Sequence, residues 1–154
     1  MTRWARGRAE IEQLLSRREL EHVTGAAADG RPLLRQAKTT AATAATLVQT
    51  DPYSAYILAY DAARFACTAL LAQQGLRPTT DGGHTAVAAA VRAEFGPGFR
   101  PFATMRRRRN ELEYPHTPGE TATTSEAQQA ITDTTAVITA AEQLIDQLTF
   151  FNQP

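Results

Sequence analysis

Asp51-Pro52-Tyr53-Ser54-Ala55-Tyr56-Ile57-Leu58-Ala59-Tyr60-Asp61-Ala62-Ala63-Arg64-Phe65-Ala66-Cys67-Thr68-Ala69-Leu70-Leu71-Ala72-Gln73-Gln74-Gly75 is the stretch from which the fold can be read. Asp51 carries an N-cap side chain, and Pro52 takes the first helical position, where no backbone N–H is needed. Tyr53, Tyr56, Ile57, Tyr60, Ala63, Arg64, Cys67, Leu70 and Leu71 then recur at helical spacing, and Gly75 supplies a stop. No other segment is as apolar, so the spacing predicts a central helix with the others packed around it. Arg64 falls on this apolar stripe, with Asp61 three residues earlier and in reach of an ion pair. That pair is either a brace within the helix or part of a polar site shared with a second element.

Working outward, strands are hard to find, while helical spacing runs throughout. A first helix is expected from about Ala9 to Ala28, closed by Asp29-Gly30, with Trp4 folding back onto the bundle. Arg3, Arg6, Arg8, Arg17 and Arg18 alternate there with Glu10, Glu12, Glu19 and Glu21, the pattern of a solvated face. A second helix starts at Pro32 and runs to about Gln49 on small side chains that permit close packing. After the Leu76–Gly83 loop a fourth spans about His84 to Phe95, and a fifth about Phe99 to Glu113, ended by Pro115. The sixth starts at a capping box of Ser125 and Gln128 and continues to about Phe150. At that extent it is about 38 Å long, enough for one end to reach a partner protomer. The expectation is an all-α, up-and-down bundle of four main helices with additional short ones. It is one domain over residues 1–154, with a core over about 30–150 and an N-terminal helical extension over 1–30.

The totals narrow the function. The chain has 154 residues and a formal net charge of zero, so any polyanion site must be local. Lys38 is the one lysine; the other cations are arginines, which suit bidentate contact with phosphate or carboxylate. A single cysteine, Cys67, excludes an intramolecular disulfide or a cysteine zinc cluster. The first residues are not followed by an apolar signal core, and no transmembrane helix or membrane partner is expected. The setting expected is cytoplasmic, and no metal or cofactor is called for.

The charge that needs explaining is in Met105-Arg106-Arg107-Arg108-Arg109-Asn110-Glu111-Leu112-Glu113-Tyr114-Pro115-His116. Four consecutive helical side chains spread over about 300° and cannot share one solvated face. Phe102, Met105, Arg109 and Leu112 form the apolar stripe, so Arg109 needs a partner or a role. Glu113, at i+4, can fix its rotamer. Arg106, Arg109 and Asn110 make a phosphate-sized donor cluster, while Arg107 and Arg108 fall on outer faces as ordinary surface charge. Tyr114 and His116 follow just past the helix end. Phosphate donors beside an imidazole and a phenol suit metal-free RNA cleavage, in which the 2′-OH attacks the adjacent phosphate. Imidazole titrates near neutrality, whereas a phenol holds its proton there.

Arg109-Asn110-Glu111-Leu112-Glu113-Tyr114 resembles the Arg-Asn-x-x-x-His motif of HEPN domains, with Tyr in place of His. The Tyr53–Arg64 segment, followed by Ala69–Pro78 and then Gly82-Gly83-His84, is also HEPN-like, so the resemblance covers roughly residues 50–150. It implies a bundle that pairs as a symmetric homodimer, with motif arginines from both protomers lining a composite cleft. It further implies a metal-independent endoribonuclease, often a toxin, with Arg109 as catalytic arginine, Asn110 as its polar neighbour and Tyr114 at the histidine position. Some members pair with a small nucleotidyltransferase antitoxin. In that branch the motif is Arg-x4-His-x-Tyr, and the tyrosine is modified; here Arg109-x4-Tyr114-x-His116 exchanges the two. His116 is then the candidate source of the imidazole, with Arg64 and Asp61 as further binding residues. Two alternatives stand beside the nuclease: a catalytically inactive HEPN module that binds RNA, nucleotide or protein, and a helical adaptor whose arginines are structural.

Overall fold

The computed structural model describes residues 6–151; Trp4 lies outside them. Six helices dominate: α1 (Arg8–Ser16), α2 (Arg31–Leu47), α3 (Pro52–Gln73), α4 (Gly83–Phe95), α5 (Arg100–Glu113) and α6 (Thr124–Leu144). The architecture is the expected all-α bundle. α3 is its central element: Ala59, Tyr60, Ala62, Ala63, Ala66, Cys67, Leu70 and Leu71 are all fully buried. It is also the one described helix long and apolar enough to cross a membrane, yet most of it is buried inside the protein. The Asp51 side chain accepts from the Ser54 N–H at 3.1 Å, as its N-cap position predicts.

α2 and α6 flank α3 on facing alanines, among them Ala37 and Ala44 of α2 and Ala130 and Ala141 of α6. Side chains this small let helix backbones approach closely. Thr134 of α6 accordingly reaches across to donate to the Ala59 carbonyl at 2.8 Å. The approach is tightest at Gly30, where a Cβ would run into the Ala69 carbonyl. Gly30 instead donates its N–H to Gln73 Oε1 at 3.0 Å.

Three sequence expectations are corrected. The first helix does not reach Ala28. α1 stops at Ser16, because Arg18 turns left-handed (φ 60°), and the Glu19 and Arg18 N–H groups bond back to the Leu14 and Leu15 carbonyls. These are the two hydrogen bonds of a Schellman cap, made here by arginine where glycine is usual. A short strand β1 (Leu20–His22) follows and pairs antiparallel with β2 (Leu76–Pro78), with Glu21 opposite Arg77 and their side chains 2.6 Å apart. Residues 25–28 form a 3-10 turn. Ile11, Leu14 and Leu20 belong to the same apolar core as α3 and α4, so this segment is built into the bundle.

The second correction concerns the start of α6. Its N-cap is Thr123, which accepts from the Glu126 N–H at 3.0 Å. The Thr-x-x-Glu spacing two residues before Ser125 wins: the Thr123 hydroxyl caps the Glu126 N–H, and the Glu126 carboxylate is held by Arg108. The third concerns its end. At 21 residues α6 is about 31 Å long. The chain then turns back, burying Leu148 and Phe151 and bonding the Phe151 N–H to the Gln74 carbonyl. That end packs against its own chain.

Candidate functional site: an arginine cluster on α3, α4 and α5

α5 buries Phe102, Met105 and Leu112, which fixes the rotation of every other residue on it. Arg109 comes to the edge of that stripe, with its side chain 22% exposed, and its guanidinium lies 5.8 Å from the centre of the Tyr60 ring. Tyr60 belongs to α3 and stacks on Phe102 with the rings nearly parallel, 5.4 Å apart. Its hydroxyl meets His84 Nδ1, in the first turn of α4, at 2.9 Å. One turn beyond Tyr60, Arg64 lies 3.7 Å from Asp61 and over the Phe65 ring. The helix periods of α3 and α5 thus bring Arg64, Arg106 and Arg109 to one region, near the α4 histidine.

The local charges are unequal. Arg109 pairs with Glu113 at 2.9 Å and donates to Asn110 Oδ1 at 3.4 Å. Arg64 has Asp61, and Arg106 has no carboxylate among the described residues. Three guanidiniums therefore face two carboxylates. The Nε atoms of Arg64, Arg106 and Arg109 are all shielded from solvent without a hydrogen-bond acceptor. The surplus of guanidiniums over carboxylates, on side chains that stay partly exposed, favours an anion that supplies several oxygens. Beside Arg106, a shallow groove of about 170 Å³ between α4 and α5 adds Arg92 and Arg107 to its lining.

The neighbours also set protonation. Burial, reinforced by the positive charge of Arg64 and Arg109, holds the His84 imidazole below its ordinary pKa, against a smaller pull from Asp61. Burial pushes the Tyr60 phenol up, and Arg64 and Arg109 only partly offset it. At neutral pH both groups are uncharged.

Of the residues singled out in the sequence, Arg109, Glu113, Asn110, Arg106, Arg64 and Asp61 are brought together as expected. Tyr114 and His116 are not. Tyr114 ends α5 with its backbone N–H on the Asn110 carbonyl and the residue 76% exposed. His116 is exposed on the following loop, and no hydrogen bond, ion pair or ring contact joins either side chain to the cluster. The imidazole at the cluster is His84. In the sequence His84 reads as a helix start and Tyr60 as part of an apolar stripe, both within the HEPN-like segments, and neither is given a place at the site there.

Arg108 is the other correction. It is not ordinary surface charge: its side chain, 23% exposed, bonds Glu126 at 2.8 Å, Glu111 at 3.1 Å and Glu120 at 3.4 Å. These bonds tie α5, the 114–123 connection and the first turn of α6 together, and Glu126 in particular raises the affinity of Arg108 for its proton. Among the described residues, no three His, Cys, Asp or Glu side chains converge as metal ligands would. In comparisons with protein-family models, curated proteins and solved structures, none matches this chain.

Proposed function

We propose that this protein is a HEPN-type helical module that engages RNA through its phosphates at the arginine cluster of α3, α4 and α5. The observation that carries this reading is the surplus of guanidinium donors. Arg64, Arg106 and Arg109 bring three partly exposed guanidinium side chains together against two carboxylates, Asp61 and Glu113. A phosphodiester offers oxygens to such a set, and arginine is the side chain best shaped to use them. In keeping with the family resemblance, the working unit is a cytoplasmic homodimer whose two clusters face one cleft. A small nucleotidyltransferase antitoxin is the class of partner protein.

Metal-independent endoribonuclease activity, with toxin action, is the second reading. The exposure of Tyr114 and His116 favours it, because both are free for a substrate or a second protomer. In that reaction the RNA 2′-oxygen bonds to phosphorus while the bond to the 5′-oxygen breaks. The 2′-proton goes to a base, and an acid protonates the leaving oxygen.

Fluorescence anisotropy with a short single-stranded RNA tests the binding reading. Wild type should bind with a steep loss of affinity as salt rises, and Arg109→Ala should weaken binding about tenfold. A folded Arg109→Ala protein that binds like wild type would sink it. The nuclease reading is checked by incubating the same RNA with chelator present and by scoring growth arrest on expression. It requires cleavage by wild type and none by Arg109→Ala.

A further inference from the structure

We infer that His84, held by the Tyr60 hydroxyl, is a neutral N–H donor of the phosphate site and contacts the bound anion through Nε2. This assignment rests on the phosphate-binding reading and names a contact residue that the motif on α5 does not contain.

The argument begins with the hydrogen between the two rings. Tyr60 is fully buried, and among the described residues the one hydrogen bond of its hydroxyl is the 2.9 Å contact with His84 Nδ1. Were Nδ1 the donor, the Tyr60 O–H would be left in the interior without an acceptor. A buried donor in that state costs about 1–3 kcal/mol. The phenol therefore donates, Nδ1 accepts, and the proton of a neutral imidazole sits on Nε2. No hydrogen bond within the described residues uses that nitrogen, and the His84 ring is only partly buried.

The charges around the ring keep it neutral. From α3 it faces Asp61 and Arg64, and from α5 Arg106 and Arg109. Three cations against one carboxylate, together with burial, oppose a fourth positive charge. A neutral Nε2–H adds a directed donor without adding repulsion between the arginines. Tyr60 acts through His84: it selects the tautomer and, stacked on Phe102, fixes the position of the hydroxyl on which the imidazole hangs. The cluster then offers an anion guanidinium donors from two helices and an imidazole donor from a third.

The test uses the full chain and an oligoribonucleotide carrying 2′-O-methyl groups at every position, which can bind but cannot be cleaved. Long-range proton–nitrogen NMR spectra of the wild type at pH 7 should show His84 as the Nε2–H tautomer, with the Nε2 signals moving as the probe is added. Tyr60→Phe should replace the single tautomer with a mixture. His84→Ala should bind the probe about tenfold more weakly, the equivalent of one charge-assisted hydrogen bond. His84→Gln, which keeps an amide N–H, should recover most of that loss. In the same NMR spectra the wild-type ring should titrate below the ordinary imidazole value. An Nδ1–H tautomer or a charged ring in the wild type overturns the inference without any variant. So does His84→Ala binding like wild type while Arg109→Ala is weakened, which leaves the phosphate-binding reading standing. Failure of wild type to bind the probe removes both.

Discussion

Arg108 and Arg109 differ little in exposure, at 23% and 22%, yet their surroundings are opposite. Arg108 is met by Glu111, Glu120, Glu126 and the Thr121 carbonyl, so its donors are met by its own chain. Arg109 has one carboxylate, and it shares its neighbourhood with two more arginines whose Nε atoms are also unmet. The difference separates two uses of the same side chain. Where the fold supplies the acceptors, arginine joins elements; where it supplies fewer carboxylates than cations, positive charge is held ready for an outside anion. Glu94 is the mirror case. It is a buried carboxyl whose one hydrogen bond among the described residues comes from Gln74 Nε2 at 3.2 Å, with no ion pair to any described cation.

The contrast can be broken most visibly at the cluster. The double variant Arg106→Ala/Arg109→Ala should lower RNA affinity about 100-fold, roughly tenfold for each phosphate contact, with little change in the urea midpoint. Arg108→Ala in the same titration should bind within about twofold of wild type.

Glu94 should give an effect of similar size on stability instead of binding. Burial pushes its carboxyl up to about 7 from the ordinary 4.5. Between those values the folded protein keeps a proton that the unfolded chain has released. Stability should therefore fall as pH rises from about 4.5 to about 7 and level off above, by up to about 3 kcal/mol. His84 tilts the curve the other way below its ordinary pKa, because the unfolded chain binds that proton more readily. Urea denaturation of wild type and Glu94→Gln across pH separates the two contributions. The variant should lose the decline between 4.5 and 7.

Arg108→Ala should cost about 2 kcal/mol, less than a fully buried pair, because the site is partly open to water. Calorimetry should show the melting temperature lowered by about 4–8 °C, with RNA affinity retained. The smallest effect is expected at Arg18, which holds the left-handed position in the cap of α1. Arg18→Gly relieves the left-handed cap of α1 but increases the entropy of the unfolded chain, for a net gain below about 1 kcal/mol. A loss of stability there would mean that the Arg18 side chain contributes to the bundle.

Much of this organisation was legible in the sequence because it is written in local periodicity. Asp51-Pro52 and the stripe from Tyr53 to Leu71 specify α3, and the same logic places Arg109 beside Leu112 and Glu113. What was hidden depends on contacts between distant segments. The end of α1 carries no glycine, so nothing local announces its left-handed cap, and β1 exists only because β2 lies alongside. Arg108 looks like outer charge until the chain from Glu120 to Glu126 folds back over it. Thr123 and Ser125 offer overlapping capping patterns, and the one that closes is the one whose last residue, Glu126, is also held by Arg108. His84 stands 25 residues before Arg109. It joins the site only through the meeting of α3, α4 and α5, whereas His116, close in sequence, is left on an exposed loop.

The most direct measurement of the central claim is the salt dependence of single-stranded RNA binding by wild type, Arg108→Ala and Arg109→Ala. If Arg109 meets phosphate and Arg108 joins helices, Arg109→Ala should reduce the slope of log affinity against log salt by about 0.7, and Arg108→Ala should leave it unchanged. Equal slopes for all three proteins, or a loss confined to Arg108→Ala, would contradict the division of labour between these two neighbouring residues.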